Sequence, residues 1–81
     1  MESFRSRMKK HGFLVDHLGE NRLSIRHGPK DSSRLIIEID TPGIRVVEVT
    51  EDFVRHCFAR SGRLTLKQFI IGALRESGII S

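Results

Sequence analysis

The sequence predicts one small α+β domain, in which a four-stranded antiparallel β-meander is followed by two α-helices and preceded by a short N-terminal helix. Short runs of apolar and β-branched residues alternate with turn residues between positions 13 and 49, and the apolar period becomes helical after position 50. A chain of 81 residues with 38% hydrophobic and 30% charged side chains can form one core but not two. We therefore divide it into a basic N-terminal segment (1–12), the meander (13–49) and the helical pair (50–78).

The N-terminal segment predicts a helix over residues 2–10. Phe4 and Met8 are spaced to lie on one helix face, and Gly12 follows as a residue that ends helices. The meander is predicted from four runs with strand character, separated by turn-forming residues at 19–21, 28–33 and 41–43. The predicted strands cover residues 13–15, 22–26, 35–39 and 44–49. Pro42-Gly43 is expected to occupy the centre of a type II turn.

Two helices are predicted after the meander. Thr50 is a suitable N-cap for the first, which ends at residues 61–63. Thr65 and Gln68 have the spacing of a capping box for the second. Gly78 and Ile79 suit the C′ and C″ positions of a Schellman ending. The buried faces are predicted to contain Phe53, Val54, Cys57 and Phe58 in the first helix and Leu66, Phe69, Ile70, Ala73 and Leu74 in the second.

The charge and cysteine content restrict the class of protein. The formal net charge is +4 and the sequence pI is near 10.0, with basic residues in excess at 1–30 and 53–81 and acidic residues in excess at 31–52. The single cysteine, Cys57, excludes an internal disulfide, and no apolar run is long enough to cross a bilayer. The N-terminus lacks the apolar stretch of a signal peptide. We therefore expect a cytoplasmic protein without a membrane partner.

No motif for catalysis, cofactor binding or metal binding is visible. The chain lacks a nucleophile elbow, a P-loop and a dinucleotide fingerprint. His56 and Cys57 are adjacent, so on a helix they point about 100° apart, and no second ligand pair completes a metal set. We expect a protein that is not an enzyme, has no cofactor and holds no metal.

The basic residues carry the main functional prediction, which is phosphate contact by a nucleic-acid-binding regulator. Such a contact requires these side chains to form one continuous surface. The alternative is a basic face that only keeps the protein soluble, which needs no such surface. The predicted nucleic-acid-binding residues are Arg5, Arg7, Lys9, Lys10, Arg22, Arg26, Arg45, Arg63 and Lys67.

A protein-interaction module, such as an inhibitor or adaptor of phage or plasmid type, is the alternative. Ile71 lies off the apolar stripe of the last helix, and Ile79 and Ile80 are close to the C-terminus. These three residues are the predicted apolar partner surface.

The last 38 residues resemble the ribbon-helix-helix family of dimeric DNA-binding regulators. The strand at 44–49 precedes two helices, and the segment 64–74 is similar to that family's second helix. The resemblance implies a homodimer whose paired strands enter DNA, with Arg45, Val47 and Val49 on one face and Val46 and Glu48 on the other. It favours DNA over RNA as the ligand.

Both ends of the chain also resemble small HicA-type RNA-targeting toxins. The similarity covers residues 8–13, Gly19, residues 22–27 and residues 74–79. The catalytic histidine of those toxins follows a Gly-Ser pair, whereas this chain has Gly19-Glu20-Asn21 at that place. The resemblance therefore implies a degenerate RNA-binding protein without nuclease activity, as a second alternative.

Overall fold

The computed structural model describes residues 2–28 and 32–80 and shows the predicted α+β class. Helix α1 precedes four strands, a helical segment α2 and a longer helix α3. The bounds are α1 Glu2–Lys10, β1 Phe13–His17, β2 Arg22–His27, β3 Arg34–Asp40, β4 Gly43–Val49 and α3 Arg63–Glu76. Segment α2 consists of Glu51–Phe53 in α-helical, Val54–Phe58 in π-helical and Ala59–Ser61 in α-helical conformation. Part of the turn predicted at 28–33, namely residues 29–31, lies outside the described residues.

The four strands form one sheet in the order β1-β2-β3-β4, with every neighbouring pair antiparallel. This is the predicted meander. The turn between β3 and β4 differs from the prediction, because Asp40 pairs with Gly43 and the central residues are therefore Thr41 and Pro42. Pro42-Gly43 is therefore not the centre of the turn, and the Thr41–Pro42 peptide bond is cis.

One face of the sheet carries the hydrophobic core. Alternate residues of each strand point to this face, as the two-residue period of a strand requires. The core residues from the helices include Phe4 and Met8 of α1, Phe53 of α2, and Ile70 and Leu74 of α3, all with no measurable exposure. Burying a side chain of this size contributes roughly 1.5–3 kcal/mol. The helices therefore cover one face of the sheet and leave the other face open.

Strand β4 contains a β-bulge that changes which residues share a face. Ile37 pairs with Val46 and Ile36 pairs with Glu48, so Val47 is the extra residue. Arg45 and Glu48 consequently lie together on the open face. The resemblance to ribbon-helix-helix proteins implied instead that they lie on opposite faces. An extra residue shifts the two-residue alternation by one position.

Segment α2 begins as predicted. The hydroxyl oxygen of Thr50 accepts a hydrogen bond from the backbone N–H of Phe53 at 3.4 Å. The same hydroxyl bonds the backbone of Arg34, which ties the start of α2 to β3. The segment then takes a π-turn that the sequence did not predict, in which the N–H of Ala59 donates to the C=O of Val54.

The ends of α3 show one wrong prediction and one confirmed one. Gly62 adopts φ +82° and is the N-cap, without a side-chain cap bond, so the predicted capping box of Thr65 and Gln68 is wrong. The helix starts at Arg63, two residues before Thr65, because Gly62 adopts a positive φ that residues with a Cβ rarely take. At the other end, the N–H of Ile79 donates to the C=O of Leu74 at 3.0 Å, with Gly78 at φ +76°. This is the predicted Schellman ending.

The predicted apolar partner surface is corrected by burial. Ile71 is 8% exposed and Ile80 is 5% exposed, and both belong to the core cluster, against which Ile79 also packs. The chain reverses after α3, which brings Ile79 and Ile80 back to the core. The buried surface of α3 also includes Ile71, so it is wider than the predicted stripe. Ile71, Ile79 and Ile80 therefore do not form an exposed patch.

Candidate nucleic-acid interface

The nine predicted nucleic-acid-binding residues do not all lie in one place. Helix α1 divides its own basic residues, because Arg5 and Lys9 line a hollow that Arg26 of β2 also lines, whereas Arg7 and Lys10 line a hollow beside α3. The remaining residues are Arg22, Arg26 and Arg45 on the open face of the sheet, and Arg63 and Lys67 on α3 beside β4. The nine residues are therefore divided between the two sides of the sheet, with Arg5, Lys9 and Arg26 sharing one hollow.

The open face of the sheet is an array of paired charges. Glu38 accepts hydrogen bonds from Arg22 Nε at 3.2 Å and from Arg45 at 2.5 Å. These two guanidinium groups, Arg45 more than Arg22, hold the pKa of the Glu38 carboxyl below its ordinary value. The other ion pairs on this face join Arg26 to Asp16 at 3.1 Å and Arg34 to Glu48 at 2.7 Å. Its arginines are therefore directed at carboxylates of the same chain.

A different surface combines basic and imidazole side chains. A cleft of about 510 Å³ lies between the β1–β2 end of the sheet, α2 and the start of α3. Three of the four histidines, His11, His27 and His56, line it together with Arg60. The remaining lining residues are Phe13, Cys57, Ser61, Thr65, Leu66 and Phe69. We call this the histidine cleft.

A second hollow of about 280 Å³ continues the histidine cleft between α1 and α3. His11 and Phe69 line both hollows, and their rings meet edge to face with centroids 4.7 Å apart. Lys10 lines the second hollow, and Arg7 at its edge contacts Glu76 at 2.5 Å. The two hollows therefore form one groove along the helix-covered side of the molecule.

Local sequence explains how two of the histidines meet. His11 follows α1 and His27 ends β2, and each is followed by a glycine at which the chain turns. The N–H of Gly28 donates to the C=O of Gly12 at 3.2 Å, which joins the two His-Gly corners. His27 also pairs with Phe13 across the β1–β2 ladder, with ring centroids 5.7 Å apart.

The third histidine comes from the π-turn of α2. His56 is exposed, whereas the adjacent Cys57 is 6% exposed, so the two side chains diverge as the helical spacing predicts. Burial raises the pKa of the Cys57 thiol, and the weaker effect of Arg60 opposes this rise. A buried thiol with a raised pKa is a poor nucleophile, so Cys57 has none of the features of a reactive cysteine.

The groove is electropositive. The histidine cleft is lined by Arg60 and by no carboxylate, and the second hollow adds Arg7 and Lys10 against Glu76 alone. No ion pair involves Arg60 or Lys10 within residues 2–28 and 32–80. The hydroxyl groups of Ser61 and Thr65 and the imidazole N–H groups are hydrogen-bond donors for an anion. The arrangement can therefore bind phosphate groups.

Other site chemistry finds no support in the part of the chain that the structure describes. No group of three or more His, Cys, Asp or Glu side chains there could hold a metal ion. None of its helices has the length and apolar character needed to span a membrane. Comparisons with protein-family models, curated proteins and solved structures give no match. The similarities to ribbon-helix-helix regulators and to HicA-type toxins therefore stay predictions.

The sequence interpretation missed the histidines and Arg60 as site residues. From the sequence, only His56 is weighed, as a metal ligand beside Cys57. The available signal was the repeated His-Gly pair at positions 11–12 and 27–28, which marks two corners of the meander. The positions of His56 and Arg60 in the cleft depend on how α2 packs against the sheet, which no short stretch of the sequence indicates.

Proposed function

We propose that this protein is a regulator that binds single-stranded nucleic acid, DNA or RNA, in the groove formed by the histidine cleft and the adjoining hollow. The observation that carries the proposal is that three imidazoles and Arg60 line a cleft of about 510 Å³ without a carboxylate among them. Phosphate groups supply the negative charge that such a lining attracts.

The shape of the groove favours a single strand. A duplex is read by a helix or a β-ribbon that protrudes into its groove. Here the basic and imidazole groups line a concave site instead, where individual phosphates and unstacked bases have access. The exposed part of Phe69 and the ring of His11 add an aromatic surface of the kind on which bases stack.

The open sheet face is a weaker candidate for the same function. Its four arginines contact Asp16, Glu38 or Glu48 within 3.2 Å. A phosphate would have to replace these carboxylates, so the gain in binding free energy would be reduced. Arg60 and Lys10 have no such competitor in the described residues.

The proposal is tested by fluorescence anisotropy with labelled single-stranded RNA, single-stranded DNA and duplex DNA of matched sequence. Salt is varied between about 50 and 200 mM, a range in which phosphate contacts weaken binding strongly. We expect both single strands to bind more tightly than the duplex. Each lost phosphate contact should reduce the slope of log affinity against log salt by roughly 0.7 for a single strand.

Matched variants locate the interface. Arg60→Gln and Lys10→Gln each remove one positive charge from the groove and should weaken binding and reduce the salt slope. Arg22→Gln removes the same charge from the open face, where Glu38 pairs it, and should leave both unchanged. An equal effect of Arg22→Gln, a preference for the duplex, or no binding at low salt would contradict the proposal.

A preference between the two single strands tests the earlier alternatives. Stronger binding of single-stranded DNA agrees with the expected preference for DNA over RNA, but not with the duplex that the resemblance to ribbon-helix-helix proteins implies. Stronger binding of RNA agrees with the alternative of a HicA-like RNA-binding protein. The protein-interaction alternative loses its original surface, because Ile71 and Ile80 are buried.

A further inference from the structure

Strand β4 is an edge of the sheet that exposes apolar side chains. Val46 is 43% exposed and Val47 is 40% exposed, and β4 pairs with β3 on one side only. An exposed edge strand presents unpaired backbone N–H and C=O groups to solvent. We propose that β4 of a second copy of this chain pairs antiparallel with this edge, so that the two sheets form one continuous sheet of eight strands.

The β-bulge makes this edge complementary to itself. Arg45 and Glu48 are three positions apart, and in a regular strand they would lie on opposite faces. Because Val46 and Val47 together stand opposite Ile37, the alternation is shifted and both charged residues lie on the open face. An antiparallel pair about a two-fold axis between Val46 and Val47 then aligns Arg45 with the partner's Glu48, and Glu48 with the partner's Arg45.

The charges already present on the open face extend across this junction. In one chain Glu38 contacts Arg22 and Arg45, and Arg34 contacts Glu48 at 2.7 Å. Pairing of the two β4 strands places the Arg45 end of one array next to the Glu48 end of the other. Positive and negative side chains therefore alternate across the boundary, and opposite charges directly across two strands stabilise their pairing.

The same register covers apolar surface on the other side of the sheet. Val46 aligns with the partner's Val47, and β-branched cross-strand pairs are favourable in sheets. Val46 also lines a mainly apolar hollow of about 120 Å³ next to Ile44, Phe58 and Ile70. A second copy paired at this edge would shield the hollow from water. Removing this apolar surface from water favours the paired edge over the exposed one.

The test is the sedimentation mass of the whole chain over a range of concentrations. We expect a concentration-dependent dimer for the unchanged protein. Arg45→Glu and Glu48→Arg each bring like charges together twice at the two-fold axis, so each should raise the dimer dissociation constant by about tenfold or more. Circular dichroism melting confirms that each variant is folded.

The decisive experiment mixes the two variants and measures the sedimentation mass of the mixture. In a mixed dimer the introduced carboxylate of one chain faces the introduced arginine of the other, and the original Glu48 faces the original Arg45, so dimerisation should return. Arg22→Glu reverses a charge on the same face but away from the edge, and should leave the dimer intact. A monomeric unchanged protein, single variants that stay dimeric, or a mixture that stays monomeric would each overturn the proposal.

Discussion

Replacement of Ile71 by alanine separates a structural role of this residue from the partner role that the sequence indicated. Ile71 is 8% exposed and belongs to the contiguous core, whereas Leu64 on the same helix is 70% exposed. Truncation of a buried isoleucine removes apolar contacts and leaves a cavity, which costs about 2–5 kcal/mol. A domain of 81 residues has a free energy of unfolding of roughly 4–12 kcal/mol. Ile71→Ala should therefore remove a large part of the stability.

The assays are thermal and urea unfolding followed by far-ultraviolet circular dichroism, because the chain has no tryptophan or tyrosine for intrinsic fluorescence. We expect the melting temperature of Ile71→Ala to fall by roughly 10 °C or more. Leu64→Ala is the control and should change the free energy of unfolding by no more than about 0.5 kcal/mol. If both variants have the same stability, the burial assigned to Ile71 is incorrect.

Two further predictions follow from titratable groups. The folded-state pKa of Glu38 is lowered by Arg45 and Arg22, so its contribution to stability is present above the ordinary pKa of a glutamate and is lost as the pH falls through the lowered value. Glu38→Gln should therefore lose less stability than the unchanged protein between neutral and acidic pH in urea unfolding, and identical pH profiles would contradict this reasoning. Burial raises the pKa of the Cys57 thiol, so its reaction with a thiol-specific disulfide reagent at neutral pH should be roughly tenfold or more slower in the folded than in the denatured chain. A folded-state rate equal to the denatured one would show that burial neither shields the thiol nor raises its pKa.

The charged surface shows the limit of reasoning from residue type alone. Arg22 and Arg45 are counted as cations available for phosphate when the sequence is considered alone. In the structure both contact Glu38, which is 16 positions from Arg22 and seven from Arg45. Antiparallel pairing of β2, β3 and β4 brings these three residues into one cross-strand row. Net charge therefore suggests a class of ligand to test, but it does not indicate which cations are already paired with carboxylates.

The sequence by itself determined the local elements, because their signals come from residues a few positions apart. The apolar spacing of Leu66, Ile70 and Leu74 predicted α3, and Gly78 predicted its Schellman ending. The tertiary structure alone decided the β-bulge at Val47 and the meeting of His11, His27 and His56 in one cleft. These features depend on strand pairing and helix packing, in which the contacting residues are distant in sequence and chosen by the competition for one core.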